Sequence, residues 1–208
     1  MSGNASTMVW IAYADVWITD SITTYKNQVS ASKEIFFLKK KKENLLYDTD
    51  KFVRKDFYVK DSLHNFKWTL LPDTTTILNR KCLSAKTYFR GREYTVFYAP
   101  SIPISDGPWK FGGLPGLVLE AKSKDDFIVW RAVKLNLAYK GSFEYVDVSK
   151  NKYLTWSEFI EQYNILADKF IHASRSQEES KGVKSRLQMP RIEIIHLELN
   201  DKGVLIEY

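Results

Sequence analysis

Between residues 100 and 116 the chain places four of its six prolines, Pro100, Pro103, Pro108 and Pro115, and four of its nine glycines, Gly107, Gly112, Gly113 and Gly116. Proline fixes φ and removes a backbone donor, while glycine adopts torsions closed to other residues, so neither helix nor regular strand runs through this stretch. Its surroundings must therefore be a scaffold that meets at a long, shaped corner. Pro115-Gly116 is the pair that a type II turn wants at its centre, which predicts positive φ at Gly116. Trp109 and Phe111 supply large apolar area for pinning the loop to the scaffold.

The flanking segments are β in character. Residues 82–89 and 93–99 predict a hairpin through Arg90-Gly91-Arg92, with Tyr94, Val96 and Tyr98 on one face and Thr95 and Phe97 on the other. Residues 117–121 and 127–135 predict a second hairpin around Ser123-Lys124-Asp125-Asp126. In its second arm Phe127, Val129, Val133 and Leu135 share a face with Arg131, while Ile128, Trp130 and Ala132 make the opposite face apolar too. Upstream, residues 35–38 and 45–47 predict short strands around Lys39-Lys40-Lys41-Lys42, a weak hairpin turn read as a solvated strand end. Residues 57–59 predict another strand, and 66–70 an alternating one that stops at a Pro72-Asp73 turn. The first 30 residues hold strand-favouring Tyr13, Trp17, Thr23, Tyr25 and Val29 without clean alternation. The 12 Tyr, 12 Phe and 6 Trp strengthen the β bias.

A helix is expected once. Thr155-Trp156-Ser157-Glu158 is a capping-box pattern, and Trp156, Phe159, Ile160, Tyr163, Leu166, Ala167, Phe170 and Ile171 follow at helical spacing. The pattern predicts a helix over 156–173, a polar mobile loop over 174–190 and closing strands over 191–208. The expected architecture is one mainly β domain over 1–208. It is an antiparallel, curved or partly closed sheet, half-barrel-like, with one C-terminal amphipathic helix packed on it.

Several chemistries are argued against. The single cysteine, Cys82, leaves no internal disulfide and no multi-cysteine zinc site, and its place in a strand predicts a buried, inert thiol. His64, His172 and His196 lack metal-ligand spacing, and Asp48-Thr49-Asp50 lacks the glycine and distal glutamate of a calcium loop. The glycines of 107–116 match neither a P-loop nor a dinucleotide fingerprint, so no cofactor is expected. A net charge of +6 permits an anionic partner. Arg90-Gly91-Arg92-Glu93-Tyr94 nevertheless puts Arg92 where an RNA-binding strand needs an aromatic, and nucleic acid is set aside. No apolar run reaches the roughly 20 residues of a transmembrane segment. Residues 8–15 lack the basic region of a signal peptide.

Gly107-Pro108-Trp109-Lys110-Phe111-Gly112-Gly113-Leu114-Pro115-Gly116-Leu117-Val118-Leu119-Glu120 resembles the signature of the GLPGLI family, with Val118 in place of the usual isoleucine. Phe66-Lys67-Trp68, Ile77-Leu78-Asn79-Arg80-Lys81-Cys82, Phe97-Tyr98 and Ile102-Pro103-Ile104-Ser105 extend the resemblance over roughly residues 57–135. It implies a small bacterial cell-envelope protein, periplasmic and of unassigned activity, with a sheet similar to lipoprotein-carrier half-barrels. The resulting expectation is a non-enzymatic binding protein for an apolar small molecule or peptide. Its ligand or partner rim would comprise Trp109, Phe111, Leu114, Pro115, Gly116, Leu117 and Glu120. The alternatives are an adaptor that binds an envelope protein of an outer-membrane transport system, and a Cys82-dependent hydrolase. The oligomeric state is left open.

Overall fold

The computed structural model describes residues 10–18, 22–30, 33–52, 55–63, 66–124, 128–135, 137 and 148–181. The strands are β1 (Trp10–Ile18), β2 (Ile22–Ser30), β3 (Lys33–Lys40), β4 (Leu45–Phe52), β5 (Lys55–Ser62), β6 (Thr69–Ile77), β7 (Arg80–Phe89), β8 (Arg92–Ala99), β9 (Leu117–Ser123), β10 (Ile128–Leu135) and β11 (Leu154–Thr155). One helix, α1, spans Trp156–Lys181. The strands form a single sheet in the order β11-β5-β4-β3-β2-β1-β10-β9-β8-β7-β6. Its neighbours are antiparallel except β1 with β10 and β11 with β5, which run parallel. The chain thus lays down one antiparallel run, β1 to β5, and a second, β6 to β10, joined along β1 and β10.

The sheet is strongly bent. In strand order β5 and β8 lie seven steps apart, which in a flat sheet is roughly 34 Å at about 4.8 Å per step. Yet Arg90, in the turn that enters β8, reaches the Asp61 carboxylate of β5 at 2.9 Å. Among the described residues the two ends of the sheet therefore curl toward each other without pairing, in a mainly β, partly closed architecture with one helix packed on it. The concave side is filled by Leu46 of β4, Tyr94, Val96 and Tyr98 of β8, Ile128 and Trp130 of β10, and the side chains of the Gly/Pro loop. On the second run a separate cluster of Ile77, Cys82, Ala99, Ile102, Leu117 and Leu119 forms, with Phe97 and Leu135 packed against it.

Turn chemistry explains the hairpins. The hairpin expected through Arg90-Gly91-Arg92 forms with a turn of two residues, since Arg92 already pairs with Phe89, and Arg90 and Gly91 take positive φ, 43° and 85°. The β6–β7 turn was not expected: Leu78 and Asn79 take φ of 48° and 58°. Leucine gives little warning of a left-handed position, although Asn79 beside it does. The lysine turn is closed by Asn44, left-handed at φ 55°, whose N–H bonds back to Lys41 O at 3.2 Å.

Three expectations are corrected. Residues 66–68 are not strand; the strand begins at Thr69 and runs through Pro72 and Asp73, where the register shifts between Leu71 and Thr74. Proline is tolerated there because β6 is an edge strand and the bulge takes up the missing donor. The helix does not stop at residue 173 but continues to Lys181, so the first part of the expected loop is helical. The polar composition of 174–181 concealed this, since the segment carries no apolar stripe at helical spacing. The lysine run is not simply solvated either, because Lys39 is buried. Phe127, His64, His196, residues 182–190 and the closing strands expected over 191–208 lie outside the described residues.

Helix α1 starts as its sequence requires. Thr155 N–H donates to Glu158 Oε2 at 2.7 Å, and Glu158 N–H donates to Thr155 Oγ1 at 3.3 Å. The Thr155 hydrogen bonds hold the Glu158 carboxyl below its ordinary pKa. Phe159, Tyr163, Ala167 and Ile171 then pack on Phe57 and Val59 of β5. Thr155→Ala is expected to lower stability by about 1 kcal/mol, read as a shift in urea midpoint with unchanged slope. An unshifted midpoint would show that tertiary packing alone sets the start of the helix.

Candidate functional site

The site is the loop of residues 100–116, which leaves β8, crosses the concave face and returns as β9. Its first half is a chain of tight i→i+2 turns: Ile104 N–H bonds to Ile102 O at 2.7 Å and Asp106 N–H to Ile104 O at 2.9 Å. The second half repeats the device around Pro115, where Gly116 N–H reaches Leu114 O at 2.8 Å. This is a γ-turn, which suits proline's fixed φ, and not the type II turn expected. Gly116 nevertheless has positive φ, 158°, as the sequence predicts. A Cβ on it would lie 2.5 Å from Ala99 O and 2.7 Å from Ala99 C, so glycine is required by close approach of two backbones.

Between these halves Trp109 is held at φ 48°, a left-handed torsion that is costly for a bulky side chain. What offsets the strain is packing. The Trp109 ring stacks on Trp130, 5.8 Å between centroids and 9° between planes. Phe111 meets Trp109, Tyr94 and Trp130 edge-on at 5.2, 5.2 and 5.7 Å. Phe66, Trp68 and Phe89 close around them, and Trp68 Nε1–H donates to Gly112 O at 2.9 Å.

Charged groups fix the loop from two directions, and sequence reasoning found neither. Lys39, on β3 and 2% exposed, directs its ammonium to Asp106 Oδ1 at 2.7 Å, Gly107 O at 2.7 Å and Phe111 O at 2.9 Å. Asp106, also 2% exposed, accepts from Gly107 N–H at 2.8 Å and binds Lys41 at 2.7 Å through Oδ2. Burial pulls the Lys39 pKa below its ordinary value, against the attraction of Asp106. Burial alone would raise the Asp106 carboxyl, but Lys39 and Lys41 outweigh it and hold the group well below the usual carboxylate range. On the other side, Lys110 and Arg90 share Asp61 Oδ2 at 2.8 and 2.9 Å. Both cations also lie over the Trp156 ring, Arg90 at 3.5 Å and Lys110 at 4.6 Å from its centroid. A lone acid beside Gly107 and a lone lysine between Trp109 and Phe111 were the available signals. Their partners lie 67 and 49 residues away in sequence, beyond what spacing reveals.

Of the seven residues expected at a rim, only Pro115 is exposed; Trp109, Phe111, Leu114, Gly116, Leu117 and Glu120 are buried. Glu120 is not a lone carboxylate, because Arg131 Nε–H donates to its Oε2 across the β9–β10 pair. Cys82 is fully buried in β7 and burial pushes its thiol up, which suits an inert side chain. His172 is exposed on α1. Among the described residues no group of three His, Cys, Asp or Glu is placed to hold a metal ion, and no helix is long and apolar enough to cross a membrane.

The fold and its loop define a class: a bent, open β-sheet domain whose concave face is occupied by its own chain. Within that class the chain belongs to the family described as N-glycanase peptide, N-terminal domain, whose profile matches residues 2–160. The match spans β1 to the first turn of α1, including the whole loop. It overturns the GLPGLI resemblance, and with it the ground for expecting a cell-envelope protein. A short glycine- and proline-rich signature records a loop shape, whereas the match over residues 2–160 takes in the strands as well. No curated protein and no solved structure matches the chain.

Proposed function

We infer that this domain is a non-catalytic docking module that binds polypeptide surface beside an N-glycanase activity. The observation carrying this reading is the fate of the aromatic residues. Trp109 and Phe111 are 1% and 0% exposed and packed into a ring cluster, so the two large aromatics of the loop belong to the interior. Recognition then falls to outer surfaces, which favour another macromolecule over an engulfed apolar ligand. Family membership supports the setting, since its description names an N-terminal domain of an N-glycanase.

The test is calorimetric titration of the chain with a native N-glycoprotein, with the same protein after deglycosylation, and with the free oligosaccharide. Binding to both protein forms and not to the oligosaccharide is the expected result. Binding to the oligosaccharide alone would make the module a glycan reader and overturn the docking role. Saturable binding of an apolar fluorescent probe would return the domain to the ligand-carrier reading. Release of glycan by the isolated chain would overturn the non-catalytic assignment.

A further inference from the structure

We propose that Asp61, Arg90, Lys110 and Trp156 form an openable clasp across the seam of the bent sheet, whose release frees β5 and α1 while the β7–β9 region stays folded. Closed barrels join their ends by strand pairing, a ladder that opens only with the sheet. Here, among the described residues, the ends approach and the junction is made by side chains. Asp61 comes from β5, Arg90 from the β7–β8 turn, Lys110 from the Gly/Pro loop, and Trp156 is the first residue of α1. Four segments separated in sequence thus meet at one carboxylate and one indole, and both cations serve both groups.

Two features make the junction a clasp rather than ordinary core. First, the cluster packed around α1, with Phe57, Val59, Phe159, Tyr163, Ala167 and Ile171, shares no buried residue with the cluster around Trp109 and Trp130. Loss of the first cluster therefore leaves the second intact, as a local opening requires. Second, the node is charged and sits at a margin: Arg90 is 15% exposed, against 5% for Asp61 and 2% for Lys110. Ion pairs contribute little net stability relative to apolar packing of the same volume, yet lose their grip when one partner is removed. Such a contact fixes the position of the elements that meet at it. Cation–π contact with Trp156 adds direction, since it holds the start of α1 against the turn before β8.

The experiment is amide hydrogen exchange on the full chain at pH 7, comparing wild type with Asp61→Asn, which preserves side-chain shape. Exchange in α1 and β5 is expected to accelerate at least tenfold, with β7, β8 and β9 unchanged. Equal acceleration throughout would mean that the four residues are ordinary parts of one cooperative core, and would overturn the clasp. Unchanged exchange in α1 would overturn it as well. Should Asp61→Asn fail to fold, Arg90→Lys keeps the charge while losing the guanidinium that lies over Trp156. The same regional acceleration, or its absence, then decides.

Discussion

Asp106→Asn is expected to destabilise the fold by about 3–5 kcal/mol, the usual cost of leaving one member of a buried ion pair without its counter-charge. Lys41 is 27% exposed and can turn its ammonium to water, but Lys39 is 2% exposed and cannot. The asparagine keeps the acceptor for Gly107 N–H, so the loss reports the charge rather than the loop's shape. The reading is the denaturation midpoint at unchanged slope. Lys39→Met in the same background should recover much of the loss, because both charges are then gone.

The pH dependence follows from the direction of the Asp106 shift. Its folded-state pKa lies below the unfolded one, so the pair contributes stability above the unfolded value and loses it as pH falls below about 4. Wild type should therefore weaken in acid more steeply than Asp106→Asn. A loss below about 1 kcal/mol at pH 7, or parallel acid profiles, would show that Lys39 finds equivalent partners in Gly107 O and Phe111 O.

Gly116→Ala is expected to cost about 2–3 kcal/mol, the range for forcing a methyl group into a packed site. The source is steric. At φ 158° the backbone is one that side chains rarely adopt, and the methyl carbon would also sit 2.5 Å from Ala99 O and 2.9 Å from Pro100 N. Both contacts are backbone, at the exit of β8 where Ile102 N–H bonds back to Ala99 O at 3.0 Å, so neither side yields by rotating a side chain. Alanine also stiffens the unfolded chain, which returns about 0.4–1 kcal/mol and is included in the expected net loss. Equilibrium unfolding in urea measures it. A variant as stable as wild type would mean that residues 99–100 move aside, and the requirement for glycine would fall.

Local order was largely legible. Alternation placed Tyr94, Val96 and Tyr98 on one face of β8, and the structure buries all three. Thr155 and Glu158 announced the start of α1, and the stripe from Phe159 to Ile171 lies on β5 as its spacing requires. These signals are local because capping and side-chain periodicity involve residues within one or two turns. The edge strand β6 was misread for the converse reason. Pro72 means a turn in most contexts, and only its position at the end of the sheet makes it compatible with a strand.

The candidate site was legible in outline and not in content. The sequence by itself determined that residues 100–116 form a rigid, shaped corner between two hairpins, since proline and glycine torsions are properties of single residues. It also determined the β class and the helix that follows. Only the tertiary structure decided that Trp109 and Phe111 face inward, that Lys39 and Asp106 are a buried pair, and that Asp61, Arg90, Lys110 and Trp156 converge. Burial and pairing depend on which distant segments the bent sheet brings together. Lysine 39 reads as one of four solvated charges until β3 is laid across from the loop. The curl of the sheet, accumulated over seven strand steps, has no signature at any single residue.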